Sequence, residues 1–95
     1  MSAYLLAQIQ VHDWDTYKQY TARTPAIIAK HGGRFLVRGG ETEVLEGEGA
    51  GRRVVVLEFP SMVAARAFYQ SPEYQEVKRI RTSGSDAQFL IVQGC

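Results

Sequence analysis

The chain has 95 residues, 45% of them hydrophobic and 22% charged, with eleven Lys+Arg against ten Asp+Glu and a net charge of +1. That length suits one small domain, the globular-average composition excludes wholesale disorder, and the near-neutral charge excludes the basic footprint of a nucleic-acid or membrane-surface protein. No apolar run reaches the roughly 18 residues of a membrane span and no basic-then-apolar leader is seen, so a cytoplasmic location is expected.

Ala3 to Val11 alternates, with Leu5, Ala7, Ile9 and Val11 on one face and Tyr4, Leu6, Gln8 and Gln10 on the other, which predicts a strand with one dry face. His12-Asp13 stops it, and Asp13 is placed to cap a helix with Asp15 at the positive end of the dipole. The helix is expected from Trp14 to about Lys30, its inner face formed by Trp14, Tyr17, Thr21, Thr24 and Ile28. Pro25 removes a backbone donor and predicts a kink or a division after Thr24, and Gly32-Gly33 supplies the stop.

Arg34 to Val37 predicts a short second strand, broken by Gly39-Gly40 with a bulge or bend and resumed from Thr42 to Leu45. Glu46 to Gly51 is glycine-rich and predicts a turn. Arg53 to Phe59 follows as a third strand, with Val55, Leu57 and Phe59 on one face. Pro60-Ser61 ends it and starts a second helix with Met62, Ala65, Phe68 and Tyr69 inward. Ser71-Pro72-Glu73 is a fresh start signal, so this helix is expected to break and resume from Pro72 to about Arg81. A polar loop is expected over Thr82 to Asp86 and a last strand over Ala87 to Gln93. The order strand, helix, strand, strand, helix, strand is the ferredoxin-like βαββαβ plan of an α+β domain over residues 1–95, a four-stranded antiparallel sheet with both helices on one face.

Helices on one face leave the other bare, with Tyr4, Leu6, Val54 and Val56 upon it. A chain this short buries only about 60–65% of its unfolded surface, so covering that patch matters. Two sheets packed face to face would form a dimeric α/β barrel, and Gln8 and Glu58 inside it would need polar partners. A homodimer is therefore expected.

The chain resembles the family known as domain of unknown function 1330, in the dimeric α/β-barrel superfamily. The resemblance is carried by Tyr17-Lys-Gln-Tyr20, His31-Gly-Gly-Arg34, Arg38-Gly-Gly40, Leu45-Glu-Gly47, the run from Arg53 to Ser61, Ala67-Phe-Tyr-Gln-Ser-Pro-Glu-Tyr74 and Ile80-Arg81. It spans nearly the whole chain in order. Phe68 stands where the family often has tryptophan, and the stretch after Arg81 is poor in charge. The resemblance implies the fold and a dimer, and no agreed activity.

The residues exclude several chemistries. His12 and His31, the only histidines, have no spacing that would bring two imidazoles together, so no metal is expected. Gly47 to Gly51 leads into a strand rather than a helix and lacks a following Lys-Ser/Thr, unlike a phosphate loop. Ser61 and Ser71 stand at capping positions, and the lone Cys95 lies at the terminus, without the setting of a reactive thiol. No cofactor is expected.

The remaining signal is polar groups among aromatics: Tyr17, Tyr20, Arg38, Glu46, Arg53, Tyr69, Tyr74 and Arg81. Guanidinium forks suit carboxylates, and tyrosines combine a ring with a hydroxyl, so the set is suited to an aromatic or carboxylated small molecule held between sheet and helices. The competing account has the arginines paired with Glu46, Glu58 or Glu73 and the tyrosines filling core. Three functions remain open: a ligand-binding dimer, a cofactor-independent oxygenase or isomerase with His31, Glu58 or a tyrosine as base, and a dimer with no pocket.

Overall fold

The central strand β1, Ala3–Val11, buries Ala3, Leu5, Ala7 and Ile9 and turns its other side chains to the opposite face. A computed structural model describes residues 1–95. After β1 come α1 (Trp14–Lys30), β2 (Arg34–Arg38), β3 (Arg53–Phe59), α2 (Met62–Gln70), α3 (Pro72–Gly84) and β4 (Ser85–Gln93). The sheet runs β2-β3-β1-β4 with every neighbouring pair antiparallel, which is the expected ferredoxin-like plan. No helix is long and apolar enough to cross a membrane.

Three capping side chains set the helix starts. Asp13 accepts the Thr16 N–H at 3.2 Å, Ser61 the Ala64 N–H at 3.0 Å, and Ser71 the Tyr74 N–H at 3.2 Å. The Ser71 hydroxyl also donates to the Phe68 carbonyl at 2.8 Å, so one buried residue closes α2 and opens α3. Between the helices and the sheet lies a core of Leu5, Ile9, Leu57, Phe59, Phe68 and Val77 with the buried tyrosines Tyr17, Tyr20 and Tyr74.

Several expected boundaries move. Helix α1 continues through Pro25: proline costs only the bond to the Thr21 carbonyl, and buried Tyr20, Thr24, Ile27 and Ile28 anchor the helix on both sides. The strand expected from Thr42 to Leu45 is absent. Arg38 already pairs with Val55 and the Gly39 N–H takes the Val54 carbonyl, so β3, which begins at Arg53, has no length left to pair. The bend expected at the glycine pair is present at Gly39, φ +68°, where β2 ends, and a further register shift lies earlier, between Phe35 and Val37. Residues 82–86 form no loop, because α3 runs to Gly84 and β4 starts at Ser85. The Gly84 carbonyl accepts the His12 and Asp13 N–H groups at 2.8 and 3.1 Å, tying this junction to the start of α1.

The face of the sheet away from the helices carries Tyr4, Leu6, Val54, Val56, Leu90 and Val92. Register places Leu6 between Val56 and Leu90, and Tyr4 beside Val92. Leu6 is 36% exposed, Val92 44% and Leu90 56%. Gln8 and Glu58, the polar residues expected on this face, have partners within the chain: Arg34 binds Glu58 at 2.6 Å, and Arg52 donates to the Gln8 carbonyl oxygen at 3.2 Å.

Candidate functional site

Between α1 and the sheet lies a cavity of about 30 Å³. Its floor is β1, where Ala7 offers little bulk opposite Val55 and Phe89. Tyr17, Tyr20, Thr21 and Thr24 descend from α1, one helical face at successive turns. Phe35 and Arg38 enter from β2 and Arg53 from β3. The only charged residues among its walls are Arg38 and Arg53.

Both guanidiniums rest on rings. Arg38 lies over Phe35 at 4.4 Å from the ring centroid, and Arg53 over Tyr17 at 5.7 Å. The Arg53 Nε is buried and has no hydrogen-bond acceptor. Beneath Arg53 lies Gly39, with φ +68°, where any side chain would collide with the guanidinium. Burial pushes the Tyr17 phenol above its ordinary pKa of 10.0, and the charges of Arg53, Arg81 and Arg38 oppose that rise.

Behind the cavity stands an aromatic block. The Tyr20 and Tyr74 hydroxyls hydrogen-bond at 2.8 Å, with Tyr74 also packed on Phe68 and Tyr69. Burial raises both phenols, Tyr20 well above 10.0, and the Arg81 charge opposes the rise in each. Arg81 itself is 4% exposed, its Nε unpartnered, with its guanidinium 4.2 Å from the Phe89 ring centroid and 5.8 Å from that of Tyr20. It sits in the last turn of α3, where the negative end of the helix offsets its charge.

Tyr17, Tyr20, Arg38 and Arg53 thus meet at the cavity, and Tyr69, Tyr74 and Arg81 back it. Glu46 stands apart, in the exposed segment between β2 and β3, and borders a groove with Gln8, Arg52 and Val54 on the opposite face of the sheet. Of the other carboxylates proposed as arginine partners, Glu58 is engaged with Arg34 and Glu73 with Lys30 at 2.9 Å. The other ion pairs are His12–Asp86 and Arg23–Glu76, so no carboxylate pairs with Arg38, Arg53 or Arg81.

The family model described as a domain of unknown function, DUF1330, matches residues 2–95. The chain belongs to this family. No curated protein matches the DUF1330 chain. Among solved structures it is similar to a protein of unknown function from Rhodopseudomonas palustris, with TM-score 0.80 and 17% identity over 99% of this chain and 82% of that one. A dimeric ferredoxin-like protein of unknown function from Jannaschia sp. gives TM-score 0.74 at 13% identity, covering 99% of this chain and 100% of the other. SnoaB, a cofactor-independent oxygenase from Streptomyces nogalater, gives 0.71 at 17% identity, covering 99% and 93%. At these identities the likeness is one of fold.

Some walls of the DUF1330 cavity lie outside the candidate residues that the sequence supplies. Thr21 and Thr24 share the inner face of α1 with Tyr17, a periodicity visible in the sequence. Phe35, Val55 and Phe89 read only as strand residues, because nothing local distinguishes a cavity wall from a core residue. Gly39 reads from the sequence only as a break in the strand, and its place beneath Arg53 depends on the β2–β3 register.

Proposed function

We propose that this protein is a homodimer that binds a small organic molecule, aromatic or carboxylated, between the sheet and α1. One observation carries the reading: Arg53 lines an aromatic-walled cavity and its Nε is buried with no acceptor, while Glu58 and Glu73 are held by other cations. A donor left in that state costs about 1–3 kcal/mol, which a carboxylate or carbonyl oxygen on a ligand would recover. Tyr17, held protonated by burial, adds a hydroxyl donor. The bare apolar sheet face supports the dimer, as does the fold shared with a dimeric ferredoxin-like protein.

A cofactor-independent enzyme is the second reading, favoured by the fold shared with SnoaB. It needs a base at the cavity. His31 is not among the cavity walls; its ring nitrogen lies 3.0 Å from the Ile27 carbonyl and its ring is set against Phe68. Glu58 is paired with Arg34 on the opposite face. The tyrosines at the cavity hold their protons, so this geometry suits binding better than proton abstraction.

Native mass spectrometry of protein purified gently from its source cells tests the proposal. The expected result is a dimer carrying a reproducible small adduct that is lost in Arg53→Gln. A monomer would overturn the dimer, and a bare dimer that also acquires no mass from a library of small organic acids would overturn the pocket.

A further inference from the structure

We infer that the ligand of this cavity is a planar aromatic monoanion, gripped at its carboxylate by Arg38 and Arg53, and that Arg53 plugs the mouth until such a ligand displaces it. The inference rests on the binding reading above and specifies its chemistry.

The charge is set by what the walls contain. Arg38 and Arg53 are the only charged side chains there, both positive, and neither has a carboxylate partner. Two planar forks on adjacent strands can hold the two oxygens of one carboxylate. The remaining surface is too apolar to accept a second negative charge, since a desolvated anion without donors is strongly disfavoured.

The shape is set by the rings. Tyr17, Tyr20, Phe35 and Phe89 line the space, and Ala7 leaves the floor low between them. Flat walls of this kind favour a ring stacked or set edge-on over a flexible chain.

The size supplies the plug. A cavity of about 30 Å³ accepts only a few waters at roughly 10–15 Å³ each, whereas a molecule such as benzene needs on the order of 150 Å³. The missing volume has to come from a wall that moves. Arg53 is the candidate: a long side chain that is only half-buried, lies across the Tyr17 ring and has the bare backbone of Gly39 beneath its guanidinium. Swinging outward, it vacates the site and brings its fork to the rim, where exposed Arg38 already stands. Gly39 is then a positioning residue, because a side chain there takes the bed on which Arg53 lies.

The test uses benzoate and 2-naphthoate against their neutral amides and against cyclohexanecarboxylate, followed by titration of the intact protein with NMR detection of the cavity aromatic signals. Each aromatic acid is expected to bind about tenfold or more tightly than its amide, and Arg38→Gln and Arg53→Gln to erase most of that preference while sparing amide binding. Amides that bind as well as the acids would overturn the anion assignment and leave the pocket standing. Cyclohexanecarboxylate binding as tightly as benzoate would overturn the aromatic assignment. Should none of the five compounds shift the Tyr17, Phe35 or Phe89 signals, both this inference and the pocket fall. Gly39→Ala tests the plug separately, and if Arg53→Gln fails to fold, Arg38→Gln alone decides the anion question. Displacing Arg53 beforehand should speed benzoate association, and an unchanged association rate would remove the plug.

Discussion

The hydroxyls of Tyr20 and Tyr74 meet at 2.8 Å inside the aromatic block and link α1 to α3. Both residues are buried, so neither hydroxyl can exchange its partner for bulk water. Removing one leaves the other desolvated and unpaired, at a cost of about 1–3 kcal/mol, whereas removing both leaves two compatible apolar edges. Tyr20→Phe and Tyr74→Phe are each expected to lower stability by that amount, and the double variant by clearly less than their sum. Urea denaturation of all four proteins checks this, and strictly additive losses would show that the two hydroxyls serve separate partners.

The same burial fixes a pH dependence. Tyr17, Tyr20 and Tyr74, three of the chain's five tyrosines, are all raised above 10.0 in the folded protein, with burial the largest cause in each. Above pH 10.0 the unfolded chain releases these protons while the native state retains them. Stability is therefore undiminished by these groups below about pH 10 and falls as pH rises above it. Unfolding by alkali is expected to coincide with the appearance of tyrosinate absorbance from these residues. If their absorbance titrated fully while the far-ultraviolet circular dichroism stayed native, the phenols would not be held by burial.

Much of this architecture was legible because its signals are local. The alternation of Ala3 to Val11, the caps at Asp13, Ser61 and Ser71, and the proline at the start of α3 each act within a few residues. The misplaced boundaries have non-local causes. Pro25 stays in a continuous helix because tertiary burial on both sides outweighs one lost bond, and α3 reaches Gly84 because its carbonyl finds donors at His12 and Asp13. The site divides the same way. Residue chemistry selected Tyr17, Tyr20, Arg38 and Arg53, but the separation of Glu46 from them is decided by which face of the sheet the β2–β3 segment borders.

Gly33 is required by close packing. A Cβ built there would lie 2.5 Å from Phe59 Cε1 and 2.9 Å from Ile28 Cγ2, both on buried side chains. Neither can withdraw freely, since the Phe59 ring packs on Phe68 and Ile28 belongs to the α1 core face. Gly33→Ala is expected to destabilise the protein by about 1–3 kcal/mol through forced repacking. Thermal unfolding reads the loss, and an unchanged or raised midpoint would mean that the turn after α1 shifts to make room.

The bare sheet face gives the last prediction. Val56 lies in register with Leu6 on one side and Val37 on the other, with Leu90 beyond Leu6, so it stands within the apolar patch. Two such faces stacked about 10 Å apart would place Val56 in a dry interface, where an unpaired carboxylate is disfavoured by several kcal/mol. On the isolated sheet the same carboxylate would remain hydrated, and the helix-facing core would not sense it. Val56→Asp is therefore expected to halve the mass measured by light scattering while leaving the circular dichroism spectrum folded. A variant that keeps the parent's dimer mass would exclude this face as the interface, and a monomeric parent would exclude the barrel altogether.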